Sequence, residues 1–150
     1  MNVHATPQLT PAETALIEAF GERLGALPGD SEVMVRRDSA IETIKAGLPT
    51  RRVETWHYTD LRRLLSKVPE FDATSSATAL KPLLEGSGVV TLVNGAVSGK
   101  PVLGNGVSFA PLAERLADGS LAASLETYGR DDAIGAINAA FVADGIALDI

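Results

Sequence analysis

The chain contains no cysteine, so disulfides, thiolate metal ligands and a cysteine nucleophile are all excluded. Histidine is nearly absent: only His4 and His57 occur, which leaves little material for a metal site or a catalytic triad. Aromatic residues make up 5% of the sequence, and tryptophan occurs once, at position 56. No run approaches the roughly 18 consecutive apolar residues of a membrane span, and the opening MNVHATPQLT lacks the basic and apolar parts of a secretory signal. A cytoplasmic location and no membrane partner are therefore expected. Basic residues are outnumbered 13 to 19, giving a net charge of −6. Nucleic-acid affinity rests mainly on phosphate neutralisation by Lys and Arg, so a nucleic-acid partner is not expected either. What is present is 45% hydrophobic residues over 150 positions, which suffices for a buried core in one domain or two small ones.

Thr10-Pro11-Ala12-Glu13 reads as a capping box with proline at the first helical position, so a helix should begin there. Leu16, Ile17, Phe20, Leu24 and Leu27 continue its apolar stripe until Pro28-Gly29. A second helix is predicted over about 32–46, with Val33, Arg37, Ala40, Ile41 and Ile44 on its inner side and Gly47 just past its end. Pro49 blocks continuation, residues 49–58 should cross the surface irregularly, and Thr59 or Asp60 can cap a short helix carrying Leu61, Leu64 and Leu65. Residues 66–87 read as a linker with one helical turn around Leu80, Leu83 and Leu84. Val89 to Val93 followed by Asn94-Gly95 predicts a strand and a tight turn. A later strand is drawn from residues 102–109, a short helix from 111–117, and a final helix from 131–143. Ile146-Ala147-Leu148-Asp149-Ile150 alternates like a strand whose apolar face needs a sheet, and the expectation is that the natural chain continues beyond it. The alternative is a strand paired into the local sheet. The fold class is thus α+β: a helical region over 1–65, a linker over 66–87, and a small α/β region over 88–150.

Two phosphate-loop candidates fail. Gly95-Ala96-Val97-Ser98-Gly99-Lys100 is one residue short of the Walker spacing and has Pro101 where a Ser or Thr belongs. Gly104-Asn105-Gly106 has Phe109 where a dinucleotide fingerprint needs its third glycine. The densest polar cluster is residues 51–63, which hold Trp56, His57 and Tyr58 among arginines and acids. Residues 36–67 carry a local balance of +4, leaving −10 for the rest. His57 beside Glu54 and Asp60 has the makings of a general base, yet no nucleophile accompanies it and three ligands do not visibly converge. The structural reading has the arginine stems lying over the rings and pairing with nearby acids to lock the loop. The functional readings are a protein contact, since Arg and aromatics are enriched at interfaces, or a surface that stacks on a nucleic acid or aromatic cofactor.

Gly47-Leu48-Pro49-Thr50-Arg51-Arg52-Val53-Glu54-Thr55-Trp56-His57-Tyr58-Thr59-Asp60-Leu61 resembles the GLPTRR-x-E-x-W-K-Y-T-x-L segment of the SufD family, a subunit of the SUF iron–sulfur cluster assembly machinery. Leu92-Val93-Asn94-Gly95 is similar to the family's short strand ending in Asn-Gly, and residues 137–146, with Asn138, to its LNAAF…DG segment. The three occur in family order, and His57 stands where the family usually has Lys. The resemblance implies an amino-terminal portion of a cytoplasmic, non-enzymatic subunit that works with SufB-like and SufC-like proteins. It implies a following right-handed parallel β-helix, starting about where this sequence ends, and a carboxy-terminal helical region. No catalytic, cofactor-binding or metal residue is assigned within these 150 residues; the iron–sulfur cluster, with a flavin as a further candidate, would belong to the whole complex. The residues carried over are structural or interface ones: Pro49, Arg51, Arg52, Glu54, Trp56, Tyr58, Asn94, Gly95 and Asn138. Apart from the family, the sequence leaves open a free-standing ligand-binding or regulatory module using the Arg51–Tyr58 surface, self-association through the strand at 146–150, and, least supported, a small hydrolase built on His57.

Overall fold

The computed structural model describes residues 8–72, 74–78, 80–99, 103–126, 129 and 131–150. Helix α1 spans Pro11–Arg23 and opens on the expected capping box: Glu13 N donates to Thr10 Oγ1 at 3.3 Å, and Thr10 N to Glu13 Oε2 at 2.6 Å. A 3-10 turn, Leu24–Ala26, extends it. Helix α2, Ser31–Lys45, is capped by Asp30, whose carboxylate accepts from Val33 N at 2.9 Å, and it stops where Gly47 takes φ +97. A short helix α3, Leu61–Leu64, is capped by Asp60 through Arg63 N at 3.0 Å.

Strands β1 (Thr91–Val93) and β2 (Ala96–Ser98) form an antiparallel hairpin in which Val93 faces Ala96. Asn94 at φ +49 and Gly95 at φ +85 both take the left-handed conformation that the two-residue hairpin turn demands, which is why this dipeptide sits there. Strand β3 (Ser108–Pro111) leads into helix α4 (Leu112–Ala117), and helix α5 (Ala133–Phe141) leads into strand β4 (Ile146–Asp149). β4 pairs antiparallel with β3, Ser108 opposite Asp149 and Pro111 opposite Ile146, so the terminal strand finds its partner locally; Leu148 and Ile150 nevertheless stay exposed. The arrangement is α+β, with two separate two-stranded sheets among the described residues. Two expectations are corrected. The strand drawn from 102–109 begins only at Ser108, because Asn105 and Gly106 form a turn; Val102 lies outside the described residues. The helical turn around Leu80, Leu83 and Leu84 is a bend with all three side chains exposed, lacking any apolar surface to pack on.

The core sits where α1 and α2 meet α5. Leu16 and Phe20 from α1, Ala40, Ile41 and Ile44 from α2, and Ala136, Ala139 and Ala140 from α5 form one buried cluster. The alanines matter because small side chains let helix backbones approach closely. A second cluster of Val33, Leu116 and Ala122 joins α2 to α4. Gly119, at φ +75, closes α4 against the α2 cap, where an added Cβ would lie 2.6 Å from Asp30 Cγ. Gly119→Ala is expected to cost about 2 kcal/mol, combining left-handed strain with a displaced N-cap; an unchanged urea midpoint would contradict this.

Close helix packing brings Arg37 of α2 to the carboxy-terminal end of α5. Arg37 is fully buried, and its guanidinium donates to four backbone carbonyls: Ala139 at 3.3 Å, Ala140 at 2.9 Å, Pro28 at 2.7 Å and Val142 at 2.7 Å. The last carbonyls of a helix have no intrahelical donors and carry the negative end of its dipole. One buried cation therefore finishes α5 and ties it to α2 and to the turn before α2.

Candidate functional site

The segment singled out in the sequence, residues 47–63, is built around a buried acid. Leu48 and Pro49 are buried, and the Leu48 N–H donates to Glu13 Oε1 at 2.7 Å. Glu13 thus serves the capping box with one oxygen and this loop with the other. Arg62 Nε lies 3.1 Å from the same Oε1, its guanidinium also donates to the Gln8 carbonyl, and its backbone N–H donates to Pro49 O at 3.2 Å. The start and end of the segment are therefore held side by side. Burial pushes the Glu13 carboxyl pKa up, but the N–H groups of Thr10 and Leu48, with the Arg62 cation, outweigh it and hold the group below its ordinary value.

Between those anchors the backbone turns on itself. Val53 N donates to Thr50 O at 3.0 Å, Trp56 N to Val53 O at 2.9 Å, His57 N to Glu54 O at 3.1 Å and Thr59 N to Trp56 O at 2.8 Å, and Glu54–Trp56 form a 3-10 turn. Trp56 is half-buried, and its indole N–H donates to the Asp131 carbonyl at 2.7 Å, just ahead of α5. Arg51, Arg52, Glu54, His57 and Tyr58 point outward; Tyr58 is 91% exposed, with the His57 ring edge-on to it at 4.8 Å. Of the expected lock by arginines, the pairing with an acid is present in Arg62 with Glu13, and the stacking on the rings is corrected. Among the described residues neither Arg51 nor Arg52 stacks on Trp56 or Tyr58 or forms an ion pair; backbone bonds and Glu13 hold the loop instead. Asp60 is engaged as a helix cap rather than beside His57. Among the described residues no three His, Asp or Glu side chains converge as a metal-holding group.

The half-burial of Trp56 sets the cost of losing it. Truncating a fully buried Trp removes about 3–5 kcal/mol; here Trp56→Ala is expected to cost about 1–3 kcal/mol and Trp56→Phe, which loses only the indole donor, about 1 kcal/mol. A Trp56→Ala chain that fails to fold would contradict this geometry.

The other two motif segments meet away from this loop. The Asn94 side chain donates to Asp72 O at 2.7 Å. The Asp144 carboxylate accepts from Val97 N at 3.3 Å with one oxygen and from Ala113 N at 3.2 Å with the other, so it clamps the β1–β2 hairpin to the start of α4. Gly145 follows because an added Cβ would lie 3.1 Å from Leu112 Cδ2, next to the Leu112 N to Gly145 O bond of 3.0 Å. Asn138 is exposed on α5, and its carbonyl accepts from Val142 N at 2.8 Å. Asn94, Gly95, Asn138 and Asp144 line one open groove of about 420 Å³, with Phe71 and Phe141 as its aromatic walls. The Arg23 guanidinium lies 4.1 Å over Phe71, which accounts for its position without a ligand. Trp56, bonded just ahead of α5, and this groove, lined by Ile134, Ile137, Asn138 and Phe141 along α5, make that helix the element on which all three segments converge.

The chain matches no family model, no curated protein and no solved structure. Its site residues are therefore read from their own chemistry. The segments supply rigid backbone, exposed guanidiniums and an exposed phenol; among the described residues they do not assemble a nucleophile with a base. Sequence reasoning missed Glu13 and Arg62 as the loop's anchors, and Asp144 as the hairpin clamp. No sequence signal marked Glu13, because the capping box already accounted for it and its bond to Leu48 is a tertiary contact. Among the described residues, no helix is long and apolar enough to cross a membrane.

Proposed function

We propose that this chain is the amino-terminal module of a SufD-like subunit acting in cytoplasmic iron–sulfur cluster assembly with SufB-like and SufC-like proteins. Its role is structural, with no catalysis of its own. What supports the reading is the 47–61 segment, whose Gly, Leu, Pro, Arg, Glu, Trp and Tyr resemble the family pattern in spacing, and whose Leu48 and Pro49 are buried while Arg51, Arg52, Glu54 and Tyr58 are displayed. Such a division suits an assembly part: the buried half fixes the loop, and the displayed half is free for a partner. In this reading a right-handed parallel β-helix belongs to the same protein, and the cluster, with a flavin as a further candidate, is held by residues outside this module.

Depleting the protein in its source cells is expected to lower the activity of iron–sulfur enzymes without lowering their polypeptide levels, and chemical reconstitution of the clusters should restore it. Unchanged cluster occupancy after depletion would overturn the proposal. A second reading, a free-standing ligand-binding or regulatory module, draws on the same exposure of Arg51, Arg52, His57 and Tyr58. Titrating the single Trp56 fluorescence with nucleotides, flavins and short nucleic acids separates the two. The assembly role expects no saturable quenching at micromolar ligand, and the ligand-binding module requires it.

A further inference from the structure

We infer that the displayed face of residues 51–63 is a docking surface for a protein of opposite local charge, one that presents carboxylates to Arg51, Arg52 and Arg63 and a cation to Glu54. This deepens the assembly reading and rests on it for the loop's role.

Four observations carry the inference. Arg51, Arg52 and Arg63 are exposed, and among the described residues none has an ion pair or a side-chain hydrogen bond. Guanidiniums are the side chains best suited to bidentate recognition of carboxylates, so three unpaired ones on a single rigid unit form an incomplete electrostatic pattern. Tyr58, 91% exposed, falls between Arg52 and Arg63 in the same segment, with the His57 ring against its edge; Tyr and Arg are the residue types that anchor protein interfaces. The unit is pre-organised: Glu13 holds its base, Pro49 O and Arg62 N join its ends, and Trp56 is pinned to Asp131. A partner would pay little ordering entropy to bind it.

The fourth observation selects the class of partner. Glu54 is exposed within the same turn and is likewise unpaired among the described residues. A phosphate backbone or an anionic membrane presents negative charge alone and has no cation with which to answer Glu54. A protein surface can answer arginines with Asp or Glu and answer Glu54 with Lys or Arg. The mixed pattern therefore favours a protein over a polyanion.

The test places a photo-crosslinking residue at position 58, Tyr58→p-benzoylphenylalanine, in the whole protein in its source cells, and sequences the cross-linked peptide. The expected product is a defined partner protein cross-linked within a segment where Asp and Glu outnumber Lys and Arg. The double reversal Arg51→Glu with Arg52→Glu should cut that cross-link at least tenfold while leaving the melting temperature of the protein unchanged, and reversing the mapped partner carboxylates to Lys should restore it. Cross-links to RNA or lipid alone, no cross-link, a partner segment without excess acid, or an unaffected double variant would each overturn the inference. If the acidic partner is neither SufB-like nor SufC-like, the docking surface stands and the SufD-like reading falls. If SufB-like and SufC-like proteins still assemble with the double variant, the reverse holds.

Discussion

Replacing Arg37 by methionine should destabilise the chain by about 3–5 kcal/mol, because four backbone carbonyls lose a charged donor and hydrogen bonds to charged groups are worth about 1.5–3 kcal/mol each. The reason is the set of acceptors left behind rather than the volume lost. Methionine fills much of the space, but the carbonyls of Pro28, Ala139, Ala140 and Val142 would lose the guanidinium that reaches them. Each buried acceptor without a donor costs about 1–3 kcal/mol, offset in part because the variant no longer buries a cation. Arg37→Lys should recover less than half of the loss, since one ammonium cannot span four carbonyls on three segments. With typical domain stabilities of about 5–15 kcal/mol, the methionine variant should show a large fall in its urea midpoint. A midpoint within about 0.5 kcal/mol of wild type would mean that α5 ends without Arg37.

Glu13→Gln should cost about 2–4 kcal/mol, and its cost should depend on pH. A glutamine amide can accept only through one oxygen, so its NH₂ would face either Thr10 N or Leu48 N, both donors, with the Arg62 cation beside it. The sign of the pH effect follows from the depressed pKa. Because folded Glu13 sits below its ordinary value of 4.5, the unfolded chain binds this proton first on acidification. The stabilisation is fully present above that value and is lost as pH falls through the folded pKa. The gap in stability between wild type and Glu13→Gln should therefore be constant near neutrality and narrow in acid. Urea titrations of both proteins at several pH values from neutral down to about 3 measure it, and a gap that widens in acid would contradict the assigned hydrogen bonds.

These two residues also mark where sequence reading succeeds and where it stops. Thr10-Pro11 with Glu13 three residues after the cap marks a helix start unambiguously, since the capping box is a local arrangement. Asn94-Gly95 is equally legible because the turn's positive φ values filter residue types directly. The inner face of α2, Arg37 included, follows from helical period. What Arg37 does there does not follow, because its acceptors on α5 lie over a hundred positions away and a carbonyl has no residue signature. Glu13 is hidden for a related reason: a local role already explained it, so its second bond to Leu48 left no trace in composition or spacing. The β3–β4 pairing depends on where α5 delivers the chain, which is tertiary information.

The candidate site was legible as a cluster and misread as a mechanism of attachment. The concentration of Arg, Trp and Tyr over 51–63 located it. The expected stacking of arginines on rings assumed that nearby opposite and aromatic groups find one another. The chain instead commits Asp60 to a helix cap, the Trp56 indole to a backbone carbonyl and Arg62 to Glu13, leaving the Arg51, Arg52 and Arg63 guanidiniums to solvent. Those competing backbone bonds are stronger claims on the side chains than exposed ion pairs, which are worth little individually.

The most direct test of the assembly role is to capture the natural protein from its source cells with an antibody against this chain, then determine its intact mass and identify what accompanies it. The account expects SufB-like and SufC-like proteins in fixed proportion to the captured chain. Capture of the chain without either of them, under salt low enough to preserve charged contacts, would contradict it.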